Sequence, residues 1–388
     1  MTTHVFIVDL ITFKCHLEYL FAGTGAKDNV IDFNNAPRSA LYPTTENMLV
    51  GMIADASRIR RGDFVIFYLQ QNLQQNIFDG KFYGIFRAKN DWSFLDNNDD
   101  CQYLKNELEK SLTFRTLIEP YRVYAEGVTE WEALDEIKHI QSPHQMLWSL
   151  IYRKLKGNRG NTMITIYEAE RLIQLIRNKN RRIEISCDKK MLSFDLNTQR
   201  IVCKDGSERS YKGRREEINI LPRLIRKHTE RKSFEAHLRA YIVKNIGRGK
   251  NNSLDNTILN NRTIEWIGDE VSCGVGMRRI DILLSVVNNN QRVVIPIELK
   301  AGEANERNVI QIQRYVDWIE QYYIPNRQSD IEPVLASKKI MKKRIEKHRK
   351  IIASFNQFNT TNEVRCERLK YIEFDIQNNN LVFEEVSY

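Results

Sequence analysis

The clearest alternation of apolar and polar positions lies in the C-terminal part of the chain. Ser233–Ile246 carries Phe234, Leu238, Tyr241, Ile242 and Ile246 at helical spacing, an apolar stripe on one face. Ile264–Ile267, Arg279–Val287 and Val293–Leu299 are apolar runs of strand length. Glu306–Tyr323 predicts a helix that stops before Pro325, Glu332–Ala336 a strand, and Lys338–Phe355 a basic helix. Tyr371–Asp375 and Leu381–Glu385 predict a closing strand pair. Asn288–Asn290 and Asn378–Asn380 separate strand-like runs and predict hairpin turns. This order describes a mixed α/β domain over residues 233–388, its helices covering a central sheet.

Residues 1–127 are richer in strands, with His4–Val8, Asp63–Tyr68 and Lys81–Arg87 as the β-prone runs. Residues 128–232 begin with helical spacing in Glu130–Ile140, Met146–Leu155 and Thr165–Arg177. Thr165 and Glu168 predict a capping box. Arg182–Cys203 returns to strands, with a hairpin expected around Asn197–Gln199. The polar, basic stretch Lys204–Lys232 is the expected boundary before the last domain.

At 388 residues the chain exceeds one ordinary core, so two or more domains are expected. No window is long and apolar enough for a membrane helix, and the start (MTTHVFIVDL) lacks the pattern of a signal peptide. A cytoplasmic location is the resulting expectation. The six cysteines have no zinc-finger spacing, and most are expected to be buried and reduced. The seven histidines form no ligand pair either, so a metal would be held by carboxylate oxygens. Net charge is +9, compatible with a polyanionic partner. The basic residues concentrate in Arg209–Lys232 and Lys338–Lys350. Lys339, Lys342, Lys343 and Arg344 are therefore candidate DNA contacts, a solvated helix face being the plainer alternative.

The chemistry-bearing segments are RRIDILLSVV (Arg278–Val287) and VVIPIELKAG (Val293–Gly302). Asp281 heads one apolar strand, and Glu298 and Lys300 end the other. Strand periodicity puts Glu298 and Lys300 on one face and Leu299 on the opposite face. A hairpin through the Asn triplet brings Asp281 beside Glu298. Two carboxylates can hold Mg2+, which polarises a phosphodiester and acidifies bound water. A nearby lysine adds positive charge, or orients or deprotonates the water if its own pKa is lowered. The plainer alternative is a surface ion pair of little consequence.

Asp281 followed by Glu298-Leu299-Lys300 resembles the core of the PD-(D/E)XK nuclease superfamily. Two further elements resemble its RecB-like branch and NucS-like nuclease domains: Glu235 in the preceding helix, and Gln311 with Tyr315 in the following one. Ile280 stands where many members have proline. The resemblance implies a restriction-endonuclease-like core over about residues 233–376. It also implies a catalytic set of Asp281, Glu298, Lys300, Glu235, Gln311 and Tyr315. Asp281, Glu298 and Glu235 would be the metal ligands, and Mg2+ the cofactor with Mn2+ able to substitute. Asp269, Glu270 and Glu303 are expected to be solvated or to support the site from behind. His237 is expected to be a packed or surface histidine.

Arg61–Tyr68 and Phe82–Arg87 resemble the PUA-like barrels of EVE and YTH domains, where a Gly-Asp turn leads into an apolar strand. That resemblance implies an N-terminal β-barrel with a pocket for a flipped base between aromatic rings. Trp92, Phe67, Tyr68 and Tyr83 are the candidates, with filling of the barrel core as the alternative for each. The glycine-rich loop Gly157–Thr162, containing Arg159 and preceded by Arg153, Lys154 and Lys156, could approach phosphates. It lacks a Walker pattern, so no nucleotide cofactor is expected.

The expected function is a site-specific double-stranded DNA endonuclease of type II restriction kind, acting as a homodimer. The alternatives are a NucS-like mismatch- or structure-directed repair nuclease and an inactive DNA-binding module.

Overall fold

The computed structural model describes residues 1–25, 30–31, 46–135, 140, 147, 150–155, 160–187, 190–207, 209–273, 278–289, 291–324, 329–340 and 345–388. They form two compact units, Met1–Ile218 and Asn219–Tyr388, each built on a mixed sheet. No helix among the described residues is long and apolar enough to cross a membrane.

The first unit contains β1 (Thr3–Val8), β2 (Phe21–Thr24), β3 (Phe64–Leu69), β4 (Lys81–Ala88), β5 (Phe94–Leu95) and β6 (Phe114–Pro120). It continues through β7 (Val128–Thr129), β8 (Asn161–Ile164), β9 (Lys190–Asp195), β10 (Arg200–Ser207) and β11 (Glu216–Glu217). Its helices are α1 (Leu10–Tyr19), α2 (Glu46–Arg58), α3 (Lys105–Leu108), α4 (Glu130–Asp135) and α5 (Ile166–Lys179). The main sheet runs β11-β5-β6-β4-β3-β1-β8, with β2 on β6 and β7 on β4. β1 lies parallel to β3, a pairing that needs a long crossover, and α1 and α2 lie in it.

The Gly-Asp turn before β3 is present. Gly62 sits at φ +86°, where a side chain would be strained, and its N–H donates to the Ala88 carbonyl at 2.8 Å. The Asp63 carboxylate accepts from the N–H groups of Thr2 and Arg60, each at 3.0 Å, and pairs with His4 Nε2. This ties the chain's start to the turn. Burial holds the His4 pKa below its ordinary value, against the pull of Asp63.

Phe67 and Tyr83 are fully buried among Phe6, Phe13 and Phe86, and Tyr68 packs on Phe82 with ring centroids 5.0 Å apart. Each such ring contributes about 1.5–3 kcal/mol by leaving water. Phe67, Tyr68 and Tyr83 are therefore core residues with no ring face presented to a base. Trp92 is 49% exposed.

Residues 128–218, expected as an accessory segment, belong to this unit's packing. Tyr83 Oη donates to the Gln199 carbonyl at 2.9 Å, and Asn180 exchanges two hydrogen bonds with the Glu126 backbone. The Thr165–Glu168 capping box forms as predicted and starts α5. Lys154 Nζ meets the same Glu168 carboxylate at 2.7 Å, so this lysine is engaged internally. Arg159 lies outside the described residues. β9 and β10 form the expected hairpin. Cys187 and Cys203 are disulfide-bonded, with Cα atoms 5.5 Å apart, which corrects the expectation for that pair; the strands' approach places them together. Cys15, Cys101, Cys273 and Cys366 are free.

The division between the two units, after Ile218, falls inside the expected boundary stretch 204–232, and described residues of that stretch make defined contacts. Arg214 reaches Asp99 at 2.7 and 2.8 Å, and Arg209 donates to the Tyr19 hydroxyl at 2.7 Å. Beyond Ile218 the second unit opens with α6 (Leu221–Thr229), missed because basic residues mask its short apolar face; Arg223 and Lys227 are buried in it.

The second unit continues with α7 (Glu235–Asn245), α8 (Asn252–Ile258), β12 (Thr263–Ser272), β13 (Arg279–Asn288) and β14 (Gln291–Lys300). Then come α9 (Glu306–Trp318), a π-helical turn at Ile319–Tyr323, β15 (Asp330–Ile331), β16 (Val334–Lys338), α10 (Ile345–Thr361), β17 (Lys370–Gln377) and β18 (Asn380–Glu385). The sheet order is β12-β13-β14-β16-β17-β18, with β15 also on β14. β12–β13–β14 are antiparallel, whereas β14–β16 and β16–β17 are parallel. The parallel pairs need crossovers, which α9 and α10 supply.

The predicted stripe of α7 is buried, with Phe234, Leu238, Tyr241, Ile242 and Ile246 all 7% exposed or less, but His237, Arg239, Ala240 and Val243 are buried too, so the helix is enclosed nearly all round. β13 and β14 are buried almost continuously, as expected for strands covered on both faces. Pro296 interrupts the run without breaking it. It falls where the ladder on the parallel side passes from β15 to β16, so its missing N–H costs no bond there. Asn378 and Asn379 turn the β17–β18 hairpin with φ of +49° and +62°, which asparagine tolerates.

Candidate metal centre

The antiparallel register of β13 and β14 pairs Ile282 with Ile297, so the next positions outward are Asp281 and Glu298. The hairpin thus makes them cross-strand neighbours, as the spacing predicts. Asp281 Oδ2 accepts the Leu299 N–H at 2.8 Å, which fixes the carboxylate against the strand end. Leu299 is fully buried on the opposite face from Glu298 and Lys300.

Glu298 is 1% exposed. One of its oxygens lies 2.6 Å from Lys300 Nζ, and the other accepts from the Tyr315 hydroxyl at 2.5 Å. The same tyrosine oxygen lies 3.0 Å from the Arg279 carbonyl, so α9 is tied to both β13 and β14 at the site. Glu235 arrives from the first turn of α7. Its carboxylate lies 3.4 Å from Lys300 Nζ and 3.4 Å from the Ala301 nitrogen. Helix, two strands and second helix therefore deliver Glu235, Asp281, Glu298, Lys300 and Tyr315 to one place.

Burial pushes the Asp281 carboxyl up to about 7, and the charge of Glu298 pushes in the same direction; the Leu299 N–H and Lys300 oppose them. Burial likewise raises Glu298, against Lys300 and Tyr315. Burial alone would lower Lys300, but Glu298, Glu235 and Asp281 outweigh it and hold the ammonium above its ordinary value. Among carboxylates alone, Lys300 is a cation and not a base. Burial and then Glu298 raise the Tyr315 phenol, which remains a donor.

The donor set is of the oxygen type that a hard divalent cation takes. Three carboxylates face one ammonium, leaving excess negative charge in a partly buried site. Among the described residues no group of three or more His, Cys, Asp or Glu is placed so that together they could hold a metal ion. Mg2+ does not require such a group, because it keeps several waters and is held through one or two carboxylates.

Of the remaining expected residues, Gln311 lies one turn before Tyr315, and its Oε1 accepts from Asn308 Nδ2 at 3.2 Å. It lines a cleft next to the carboxylates instead of bonding to them. Asp269 and Glu270, expected to be solvated or supporting, pair with Arg239 at 2.7 and 3.1 Å. Glu270 also holds Arg279 at 3.1 Å, so both acids brace the strand end behind Asp281. Glu303 pairs with Lys347 at 2.7 Å. His237 is buried on α7, as a packed histidine. Lys339 is exposed and pairs with Glu384 at 3.2 Å, whereas Lys342, Lys343 and Arg344 lie outside the described residues.

Sequence reasoning passed over Arg278, Arg279 and Arg314. Two of them were visible as the Arg-Arg directly before Ile280-Asp281, and Arg314 shares the helical spacing of Gln311 and Trp318.

No protein-family model matches the chain, and no curated protein is similar enough to count as a match.

Proposed function

We propose that Asn219–Tyr388 is a Mg2+-dependent nuclease domain, and that the whole chain is an endonuclease cutting double-stranded DNA at sites its first unit selects. The observation that carries this reading is the convergence of Asp281, Glu298, Glu235 and Lys300 at the buried ends of β13 and β14, with Tyr315 bonded to Glu298. The sheet, antiparallel on one side of β14 and parallel on the other, is in keeping with a restriction-endonuclease-like core.

Asp281 and Glu298 would hold the ion, with Glu235 as a third oxygen donor and Mn2+ as a substitute. When bound, the ion supplies Lewis-acid polarisation of the phosphodiester and acidifies a water. The chain's own residues do the rest. Tyr315 and Lys300 fix the Glu298 carboxylate in one orientation. The Leu299 N–H does the same for Asp281. The Lys300 ammonium places positive charge where negative charge grows on the phosphoryl oxygens during attack, which is the larger share of such catalysis.

The first unit, with its Gly-Asp turn, is proposed as a PUA-like reader of the target, Trp92 being the exposed ring available for a base. Cutting both strands of a duplex needs two such sites, which favours a homodimer and a type II restriction activity.

The test is digestion of unmodified, methylated and mismatched duplexes with Mg2+ or Mn2+. Discrete sequence-dependent fragments are expected from the wild-type protein. Lys300→Ala should lose on the order of a hundredfold or more in rate while still binding DNA. Cutting confined to mismatches would replace restriction by repair. No cutting of any duplex, or a Lys300→Ala variant as active as wild type, would refute the nuclease reading.

A further inference from the structure

Beside the metal centre lies a cleft of about 460 Å³ whose lining includes Arg278, Arg279, Gln311, Arg314, Trp318 and Tyr322. Tyr315 also lines it. Because the Tyr315 hydroxyl bonds to Glu298, the cleft abuts the catalytic carboxylates. Residues Gln311, Arg314, Tyr315 and Trp318 recur at helical spacing, so one face of α9 forms a wall. The start of β13, with Arg278 and Arg279, supplies residues to the cleft as well.

Charge distinguishes the lining residues. Asp317, the acid of the cleft, is held by Arg365 at 2.8 Å, and Arg279 is held by Glu270. Arg278 and Arg314 are exposed and have no ion-pair partner among the described residues. Tyr322 is 50% exposed, and Trp318 is steadied by stacking on Tyr323 at 5.9 Å. Two uncompensated guanidiniums and aromatic rings lining one cleft suit a phosphate backbone with a base laid on a ring. A stacked duplex presents only base edges and phosphates, so it would use the arginines and leave the rings idle. A cavity of this size falls in the range that takes one small ligand.

We infer that this cleft seats an unpaired nucleotide flanking the scissile phosphate, its phosphate on Arg278 and Arg314 and its base on Tyr322 or Trp318. The inference rests on the nuclease reading for the word scissile. Within the proposed cutting of duplex DNA, it requires one nucleotide beside the cut to leave the base stack.

The experiment measures binding of the full chain to fluorescent oligonucleotides in EDTA, where no cutting occurs. The probes are a single strand, its duplex, and the duplex with one unpaired base. Tyr322→Ala should weaken binding to the single strand and the unpaired-base probe by about tenfold or more, and spare the plain duplex. Arg278→Ala and Arg314→Ala should each reduce the salt dependence on the single strand by about one phosphate contact. Tyr322→Phe should bind as wild type, because stacking uses the ring. Equal affinity of Tyr322→Ala and wild type for the single strand, or an equal loss on all three probes, would overturn the inference. The two readings fail separately. Selective loss in EDTA without any Mg2+-dependent cutting leaves the cleft and removes the nuclease. Cutting without that selective loss does the reverse.

Discussion

Asp281→Asn should make the metal-free protein more stable at neutral and alkaline pH while removing its activity. The carboxyl is raised from 3.8 to about 7 by burial and by Glu298. The folded state therefore holds a proton that the unfolded chain releases. Stability from this group is complete below about pH 4 and falls as pH rises through about 7, where the folded carboxyl also ionises. A displacement of roughly three pH units at about 1.4 kcal/mol each sets a ceiling of about 4 kcal/mol. Glu298 and Lys300 share the same electrostatic interaction, so about 1–3 kcal/mol is the expected gain. Asparagine keeps an oxygen for the Leu299 N–H, which leaves the strand end intact. The assay is urea unfolding of the full chain in EDTA at several pH values between about 5 and 9, followed by tryptophan emission. The variant's advantage over wild type should be smallest at the acid end and largest at the alkaline end. Adding Mg2+ at alkaline pH should stabilise wild type and leave the variant unchanged. A variant no more stable than wild type above about pH 8 would refute the account of a carboxylate cluster under electrostatic stress.

Three further outcomes follow from other contacts. Tyr315→Phe removes the hydroxyl that favours ionised Glu298, so the acid limb of the pH–rate profile should move up by about one unit; an unmoved limb would separate Tyr315 from Glu298. Glu332 is bonded to Arg262 at 2.7 and 3.0 Å and to Lys370 at 2.6 Å; burial would raise its carboxyl, but these cations outweigh it and hold it below the ordinary value. Glu332→Gln should cost about 1–3 kcal/mol at neutral pH, and the difference should shrink as pH falls below about 4, read from urea midpoints. Thr165→Ala removes the cap of α5 and should cost about 1 kcal/mol, with faster amide exchange at the start of that helix.

Much of the second unit was legible because its signals are local. The β13–β14 hairpin, the stripe of α7 and the alternation that sets Leu299 opposite Glu298 and Lys300 all follow from spacing within one or two elements. The Thr165–Glu168 capping box and the Gly-Asp turn at Gly62 were readable for the same reason. What spacing could not show was burial decided by distant partners. Tyr68 and Tyr83 read as candidates for base stacking or for core filling, and only the packing decides: the sheet and the residues up to Ile176 enclose Tyr68, while Leu192, Phe194 and Ile201 help enclose Tyr83. Arg214 reads as part of a basic run, but it is neutralised by Asp99, far away in sequence. Asp269 and Glu270 read as either solvated or supporting acids, and only the arrival of Arg239 on α7 shows them paired. The direction of the Lys300 shift was equally hidden, since it depends on three carboxylates from three elements.

The position of β14 has a consequence for how the site can move. The strand that carries Glu298 and Lys300 is bonded to β13 on one edge and to β15 and β16 on the other. Such a strand cannot fray from an edge; its amides open only when the surrounding sheet opens with them. Glu298 and Lys300 are therefore expected among the slow-exchanging parts of the domain. Any adjustment of the site has to come from the parts around these strands, such as the far end of α9. The side chains on β14 are thus held in place by the sheet itself, whatever shifts around them.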